Sequence, residues 1–510
     1  MVASPRRQKG DSNIKVNMTE ADEQRPEIEE PVMGMFVAIM TYFSYAILIA
    51  FGHVRDFLGK ATGVTRYSDE KPMKGYSVLL KSWESFFTRR LYHRIQDCWN
   101  RPVNSSPGAH IDVMVRESLD DNKTLSVTGQ TIRCVNLGSY NYLGFADDWK
   151  ETCKDEVVAD IGKWPNSMCS ARMDFGTTSI HDELEKTVAK FVGKEAALVY
   201  SMGYGTNTST IASLMGPGTL IISDSLNHTS IVNGARASPA FIRVFTHNDT
   251  KDLEKILKDA IVNGQPKHHR PWRKILVMVE GIYSMEGALC NLPEILKVVK
   301  KYKAYIYVDE AHSIGALGKS GRGICEYKGV DPADIDILMG TFTKSFSGMG
   351  GYIAASHEVI SYMKSVSAGV LYHNSLSPIV TRQILTAFKV IMGSIGGRIG
   401  RSKLDRLTEN SNYFRSKLIN MGLHVYGNYD TPIIPVLIYF PAKIAAFSRE
   451  CLKRGLAVVV VGFPATSVIL SRARFCVSAG HTRADLDFAL EIIDEVADLL
   501  CLKYNKGFMG

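Results

Sequence analysis

No Cys-x-x-Cys pair occurs among the nine cysteines, and their odd number and wide scatter argue against a disulfide framework or a structural zinc site. A reducing, cytosolic setting is expected, with no metal. Proline is sparse, 18 in 510 residues, so neither a fibrous nor a broadly disordered chain is expected. Aromatic residues are missing from residues 1–30, which end in the acidic run Glu27-Ile28-Glu29-Glu30. Nothing there repays the entropy of ordering, so this stretch is expected to be a disordered tail. Charge is then missing from Pro31 to Gly52. About 20 apolar residues cross a bilayer, so residues 31–53 are expected to form a membrane segment. Thr41, Tyr42, Ser44 and Tyr45 keep open a helix lying in the interface, and a buried soluble helix is the third option. A cleaved signal peptide fits poorly behind thirty polar residues.

What is present is a globular composition: 45% hydrophobic and 22% charged residues in a chain long enough for several domains. The formal charge of +8 is modest for this length. It suits an anionic membrane surface or phosphorylated ligands and calls for no nucleic acid. Arg55, Lys60, Arg66 and Lys71 follow the apolar segment, whereas only Arg25 lies at a comparable distance before it, which places the large C-terminal part in the cytosol. Within residues 54–100, Leu79, Trp83, Phe86, Phe87, Leu91, Ile95 and Trp99 recur at helical spacing beside Lys81, Arg89, Arg90 and Arg94. The pattern fits a basic amphipathic helix at the membrane surface, or equally one packed on the main domain.

From about residue 130 short apolar runs alternate with helical patterns. Ala197–Tyr200, Leu220–Ile222, Ile275–Val279 and Ala304–Val308 read as strands; Leu253–Ile261 and Pro293–Lys301 read as helices. This predicts an α/β fold with a mainly parallel sheet covered on both faces, a three-layer large domain over residues 181–394, led into by residues 101–180. Ile433–Tyr439, Ala457–Val461 and a final helix near Ala484–Leu500 read as a smaller α/β domain over residues 395–510.

In open parallel sheets ligands bind beyond the carboxyl ends of the strands. There the sequence places Asp309-Glu310-Ala311-His312-Ser313 and, in a polar loop, Gly340-Thr341-Phe342-Thr343-Lys344. A strand-end carboxylate and a loop lysine are what pyridoxal 5'-phosphate (PLP) chemistry requires: the amine forms a Schiff base with the aldehyde, and the carboxylate keeps the ring nitrogen protonated. Ser201-Met202-Gly203-Tyr204-Gly205-Thr206-Asn207 follows a strand and opens a helix, where backbone N–H groups could hold a phosphate. His228 follows another strand, and its flat ring could stack on a pyridine.

Taken with Ser139-Tyr140-Asn141-Tyr142-Leu143-Gly144, Asn227-His228 and Ser478-Ala479-Gly480-His481-Thr482, these motifs resemble, in order and over about residues 100–505, the α-oxoamine synthases, PLP enzymes of fold type I. Within that family Gln96–Pro102, Val279–Gly287 and Val461–Thr466 are similar to the lysine-bearing, long-chain-base subunits of eukaryotic serine palmitoyltransferases. The resemblance implies roles residue by residue. Lys344 would be the Schiff-base lysine, Asp309 the partner of the ring nitrogen, His228 the stacking ring, and His312 the partner of the phenolic oxygen. Gly203, Tyr204 and Thr341 would lie on the phosphate side, and Ser375 would contact a phosphate in the neighbouring subunit. Arg474 would take the amino-acid carboxylate, with Arg472 as its competitor, and Asn141 would lie near the same substrate.

The activity so implied is decarboxylative condensation of L-serine with a long-chain acyl-CoA at the endoplasmic reticulum membrane. It would need a lysine-lacking paralogous subunit and small membrane regulators. A synthase using glycine or alanine with a shorter acyl-CoA, or a silent scaffold subunit, are the alternatives. Met349 departs from the family, which usually has a small residue there, and is expected to alter packing behind the lysine.

Overall fold

The computed structural model describes residues 33–62, 74–77, 86, 88–120, 122–463 and 465–506. The expected tail, most of the amphipathic stretch and Pro464 lie outside the described residues.

The centre of the large unit is a seven-stranded sheet in the order Ala196–Tyr200, Gly351–Ala355, Ile337–Thr341, Tyr305–Asp309, Ile275–Glu280, Leu220–Asp224, Phe241–Phe245. Only Gly351–Ala355 runs against its neighbours. The inner runs Leu220–Asp224, Ile275–Glu280 and Ile337–Thr341 are rich in Val, Ile, Leu and Met because both sheet faces are covered there. One face packs Val199, Ile222, Val277, Val279, Ile306 and Val308 under the helices Ser179–Val192, Leu292–Lys301 and Pro378–Ile391. The other face packs Leu198, Ile221, Leu276, Met278 and Tyr307 against the helices Gly203–Leu214 and Thr229–Ala237. The three-layer α/β architecture expected from the alternation is present, and the parallel strands bring their carboxyl ends to one edge.

The C-terminal unit has its own core, with Phe414, Ile434, Phe475, Leu486 and Ile493 buried together around the sheet Ile433–Leu437, Arg472–Cys476, Val459–Val461. A further sheet pairs the antiparallel hairpin His110–Glu117 and Ser126–Asn136 with Leu456–Ala457, which joins in parallel at Val135 and Asn136. Chain from the expected 101–180 segment therefore shares a sheet with the C-terminal one.

The helix Met35–Thr62 contains, over Met35–Gly59, the length and apolar composition to cross a membrane. It touches the helix Pro441–Lys453 and the turn Thr88–Tyr92 with one face, on which Thr41 and Gly52 are buried, His53 stacks on Phe86 at 4.3 Å, and Asp56 pairs with Arg90. Phe36, Ile39, Phe43 and Phe51 are exposed.

Candidate active site

Four strand ends supply the site. Lys344 lies three residues beyond the strand Ile337–Thr341, in a loop closed by Phe342 N–H donating to Gly350 O (3.0 Å) and Gly348 N–H donating to Phe342 O (2.9 Å). Phe346 anchors the loop by stacking on Phe388 at 4.2 Å. Surrounding protein penalises the Lys344 ammonium and lowers its pKa to about 8, against the pull of Asp309 and Glu280. At that value about a tenth of the amine is neutral at pH 7, against roughly one part in three thousand at 10.5. Met349 is exposed, so the expected change of packing behind the lysine does not arise.

Asp309 ends its strand buried. Its Oδ1 accepts from Ala311 N–H (2.8 Å) and its Oδ2 from Asn207 Nδ2 (2.7 Å). His228 caps the helix Thr229–Ala237, and its Nδ1 accepts from Ser230 N–H (3.2 Å). Glu280 accepts the His228 backbone N–H; burial and the nearby Asp309 push the pKa of that carboxyl well above the usual carboxylate range. The surroundings lower the His228 pKa, while Asp309 raises it. His312 is buried, bonded through Nδ1 to Tyr142 Oη (2.8 Å), and held neutral by burial and by Lys344 and Arg474.

Gly203 and Tyr204 open the helix Gly203–Leu214, whose first N–H groups point beyond the helix end. A Cβ on Gly203 would stand 2.7 Å from Thr341 Oγ1, so only glycine leaves this cradle open. Thr341 Oγ1 donates to Gly350 O (2.9 Å) and is bonded to Thr343 Oγ1 (2.8 Å).

The two arginines separate clearly. Arg472 is enclosed, with Nη1 on Met285 O (2.6 Å) and Glu286 Oε1 (3.2 Å) and Nε on Leu470 O (2.9 Å). Arg474 has its guanidinium 4.9 Å from the Tyr140 ring centre and its Nε buried without a hydrogen-bond partner. Its charge is felt at Lys344, His228 and His312. Lys344 Nζ lies 5.5 Å from the same Tyr140 ring.

Asn141 lines the cavity with its amide engaged: Nδ2 donates to Asp147 Oδ2 (2.9 Å) and Oδ1 accepts from Ser347 Oγ (3.1 Å). Ser375 is held elsewhere, beside the Ala171–Asn374 bridge, with its N–H on Ser170 O (3.0 Å) and its hydroxyl buried without a partner. Lys344, Asp309, His228, His312 and Arg474 thus share one electrostatic neighbourhood, with Gly203 and Thr341 packed together at the strand ends beside it. A cavity of about 1070 Å³ runs past Lys344, Tyr140 and Asn141 between the apolar walls Phe145, Trp149, Val157, Ile379 and Val380.

The sequence reading missed Tyr140 and Asn207, although both stand inside motifs it used. It also missed Glu280, inside the Val279–Gly287 stretch, and Asp147.

The groups present fit PLP: an amine neutral enough to react, a buried carboxylate, an exposed imidazole face, a glycine-lined helix start and an arginine with a free Nε. Fold and site define a PLP-dependent transferase of fold type I. The model of the aminotransferase class I and II family matches residues 132–493. "Long chain base biosynthesis protein 2b" of Arabidopsis thaliana is 56% identical, covering 92% of this chain and 95% of its own. "Serine palmitoyltransferase 2" of Dictyostelium discoideum is 49% identical over 93% and 96%. The Sphingomonas wittichii serine palmitoyltransferase structure superposes with a TM-score of 0.73 at 28% identity, over 83% of this chain and 99% of that one. The chain belongs to the serine palmitoyltransferase family, on its long-chain-base 2 branch.

Proposed function

We propose that this chain is the lysine-bearing catalytic subunit of a serine palmitoyltransferase. It condenses L-serine with palmitoyl-CoA to 3-ketodihydrosphingosine, coenzyme A and carbon dioxide, the first step of sphingolipid synthesis. The observation that carries this reading is the Tyr140 ring with Lys344 Nζ on one contact and the Arg474 guanidinium on another, beside a cavity lined in part by Phe145, Trp149, Ile379 and Val380.

PLP would be held by Lys344, Asp309, His228, His312 and the Gly203–Tyr204–Thr341 cradle, and when bound it supplies an electron sink for the substrate carbanion. Arg474 binds the serine carboxylate, its planar fork meeting two oxygens, and this aims the Cα hydrogen at Lys344 Nζ. Lys344 takes that proton, a task suited to an amine whose pKa has been brought down to about 8. Neutral His312 or His228 offers a donor where charge develops on the thioester oxygen. Phe145, Trp149, Ile379 and Val380 give an acyl chain an apolar path past Lys344.

The partner would be a lysine-lacking paralogous subunit seated on the exposed Met173, Phe175, Met202 and Tyr372, receiving Ser375 from this chain; small membrane regulators would complete the assembly. The helix Met35–Thr62 would anchor the complex at the endoplasmic reticulum, catalytic units toward the cytosol, with large C-terminal and small N-terminal segments divided as the sequence suggests. The test is an assay of membranes holding both subunits with serine, alanine or glycine and acyl-CoAs of graded length. Turnover with serine and long acyl chains is expected, and preference for glycine or short chains overturns the reading.

A further inference from the structure

Asn207 is fully buried in the helix Gly203–Leu214, and its carboxamide makes three bonds to two other elements, the strand Tyr305–Asp309 and the helix Thr229–Ala237. Oδ1 accepts from Tyr307 Oη (2.7 Å); Nδ2 donates to Asp309 Oδ2 (2.7 Å) and to Ser230 Oγ (2.9 Å). The orientation is fixed by chemistry. An ionised carboxylate only accepts, so a flipped amide would set oxygen against oxygen at Asp309.

The order of donors then runs on. Ser230 Oγ accepts from Asn207 and directs its own hydrogen to His228 Nδ1, 2.8 Å away. The Ser230 N–H points at the same Nδ1. Two donors on Nδ1 make it an acceptor, so the proton of the neutral imidazole sits on Nε2. The His228 main chain is held independently by Glu280.

We infer that Asn207 is a positioning residue for the reaction: one carboxamide, oriented by Tyr307, holds the Asp309 carboxylate and, through Ser230, sets the His228 ring with its proton on Nε2. The inference rests on the PLP roles of Asp309 and His228 given above. A single rigid amide ties the group beneath the ring nitrogen to the group stacked on the ring, so neither can turn without the other losing a bond. Leaving a buried carboxylate short of a donor costs on the order of tenfold to a hundredfold in an equilibrium that needs it.

The test uses the full chain with its partner subunit, stripped of cofactor and titrated with PLP by visible absorbance, with kcat and KM for serine then measured at saturating PLP. Asn207→Leu keeps the side-chain volume and removes all three bonds. It is expected to raise the PLP dissociation constant at least tenfold and to lower kcat at least tenfold, with KM for serine within about twofold. Ser230→Ala cuts only the arm to His228 and is expected to lower kcat severalfold while the PLP dissociation constant stays within twofold. Tyr307→Phe frees the amide to turn and should weaken PLP severalfold. Wild-type cofactor affinity and kcat in Asn207→Leu overturn the inference, as does wild-type kcat in Ser230→Ala. If Asn207→Leu does not fold, the Ser230 and Tyr307 variants decide, and wild-type behaviour in both overturns it. Asp309→Ala separates the two levels: PLP held at wild-type affinity there sinks the functional reading itself, whereas loss there with an unaffected Asn207→Leu sinks only this inference.

Discussion

Lys344 and the two arginines show how burial divides labour between residues of the same type. Burial brings the Lys344 amine to about pKa 8, and only the neutral form attacks an aldehyde. The rate at which cofactor-free protein acquires visible absorbance with excess PLP should therefore rise with pH through about 8 and level off above it; stopped-flow absorbance checks this. Lys344→Ala should show neither the absorbance nor turnover. Arg474→Ala should raise KM for serine at least tenfold with the fold intact, since its guanidinium faces a ring and leaves Nε free. Arg472→Ala should instead destabilise the protein by about 3–5 kcal/mol, because it strands the largely enclosed Glu286. Thermal denaturation and serine kinetics on the two variants distinguish these outcomes. From the strand pattern alone Arg472 and Arg474 were indistinguishable, two positions apart on one face; Met285 and Glu286 on Arg472 and Tyr140 under Arg474 tell them apart, and these come from distant segments. Asn207 was illegible for the same reason, its partners lying 23, 100 and 102 positions away in the chain.

Elements covered on both faces announced themselves in the sequence, and those defined by partners did not. Tyr305–Asp309 and Ile275–Glu280 are apolar up to their closing carboxylates because helices cover both sides, so their ends, and the residues following them, could be located. Gly351–Ala355 also reads as buried, but nothing in its composition says that it inserts antiparallel between two parallel neighbours. Ser126–Asn136 is exposed along most of its length and carries no apolar alternation; it pairs with a two-residue strand far along the chain. The loop after Asp309 carries a pH dependence of its own. Glu310 accepts from Ser313 Oγ and Ile324 N–H, and burial raises its pKa to about 7 from 4.5. Between these values the folded state holds a proton that the unfolded chain has released, so stability falls as pH rises through this window and is level above it. The loss is at most about 3–4 kcal/mol. Glu310→Gln should remove that slope, read from denaturant midpoints at pH 5 and pH 7.5.

Across the whole molecule, the face around Met173, Phe175, Met202 and Tyr372 carries large exposed apolar side chains; Phe175 is 88% accessible. A charge there should prevent burial against a partner without touching the cofactor groups. Phe175→Asp is expected to lower co-purification of the proposed lysine-lacking subunit at least tenfold while the isolated chain keeps its PLP absorbance. Wild-type recovery of the pair would place the interface elsewhere. The strand Ser126–Asn136 meets Leu456–Ala457, so about 320 residues must leave the ribosome between the two halves of one small sheet. The early hairpin waits, with Val135 and Leu137 uncovered, until the C-terminal residues that cover them have been made. Maturation of this subunit thus waits on its C-terminal unit, and a message cut short after residue 394 would yield a large domain without that unit and with a bare strand edge, a product for chaperones and proteases rather than a smaller enzyme.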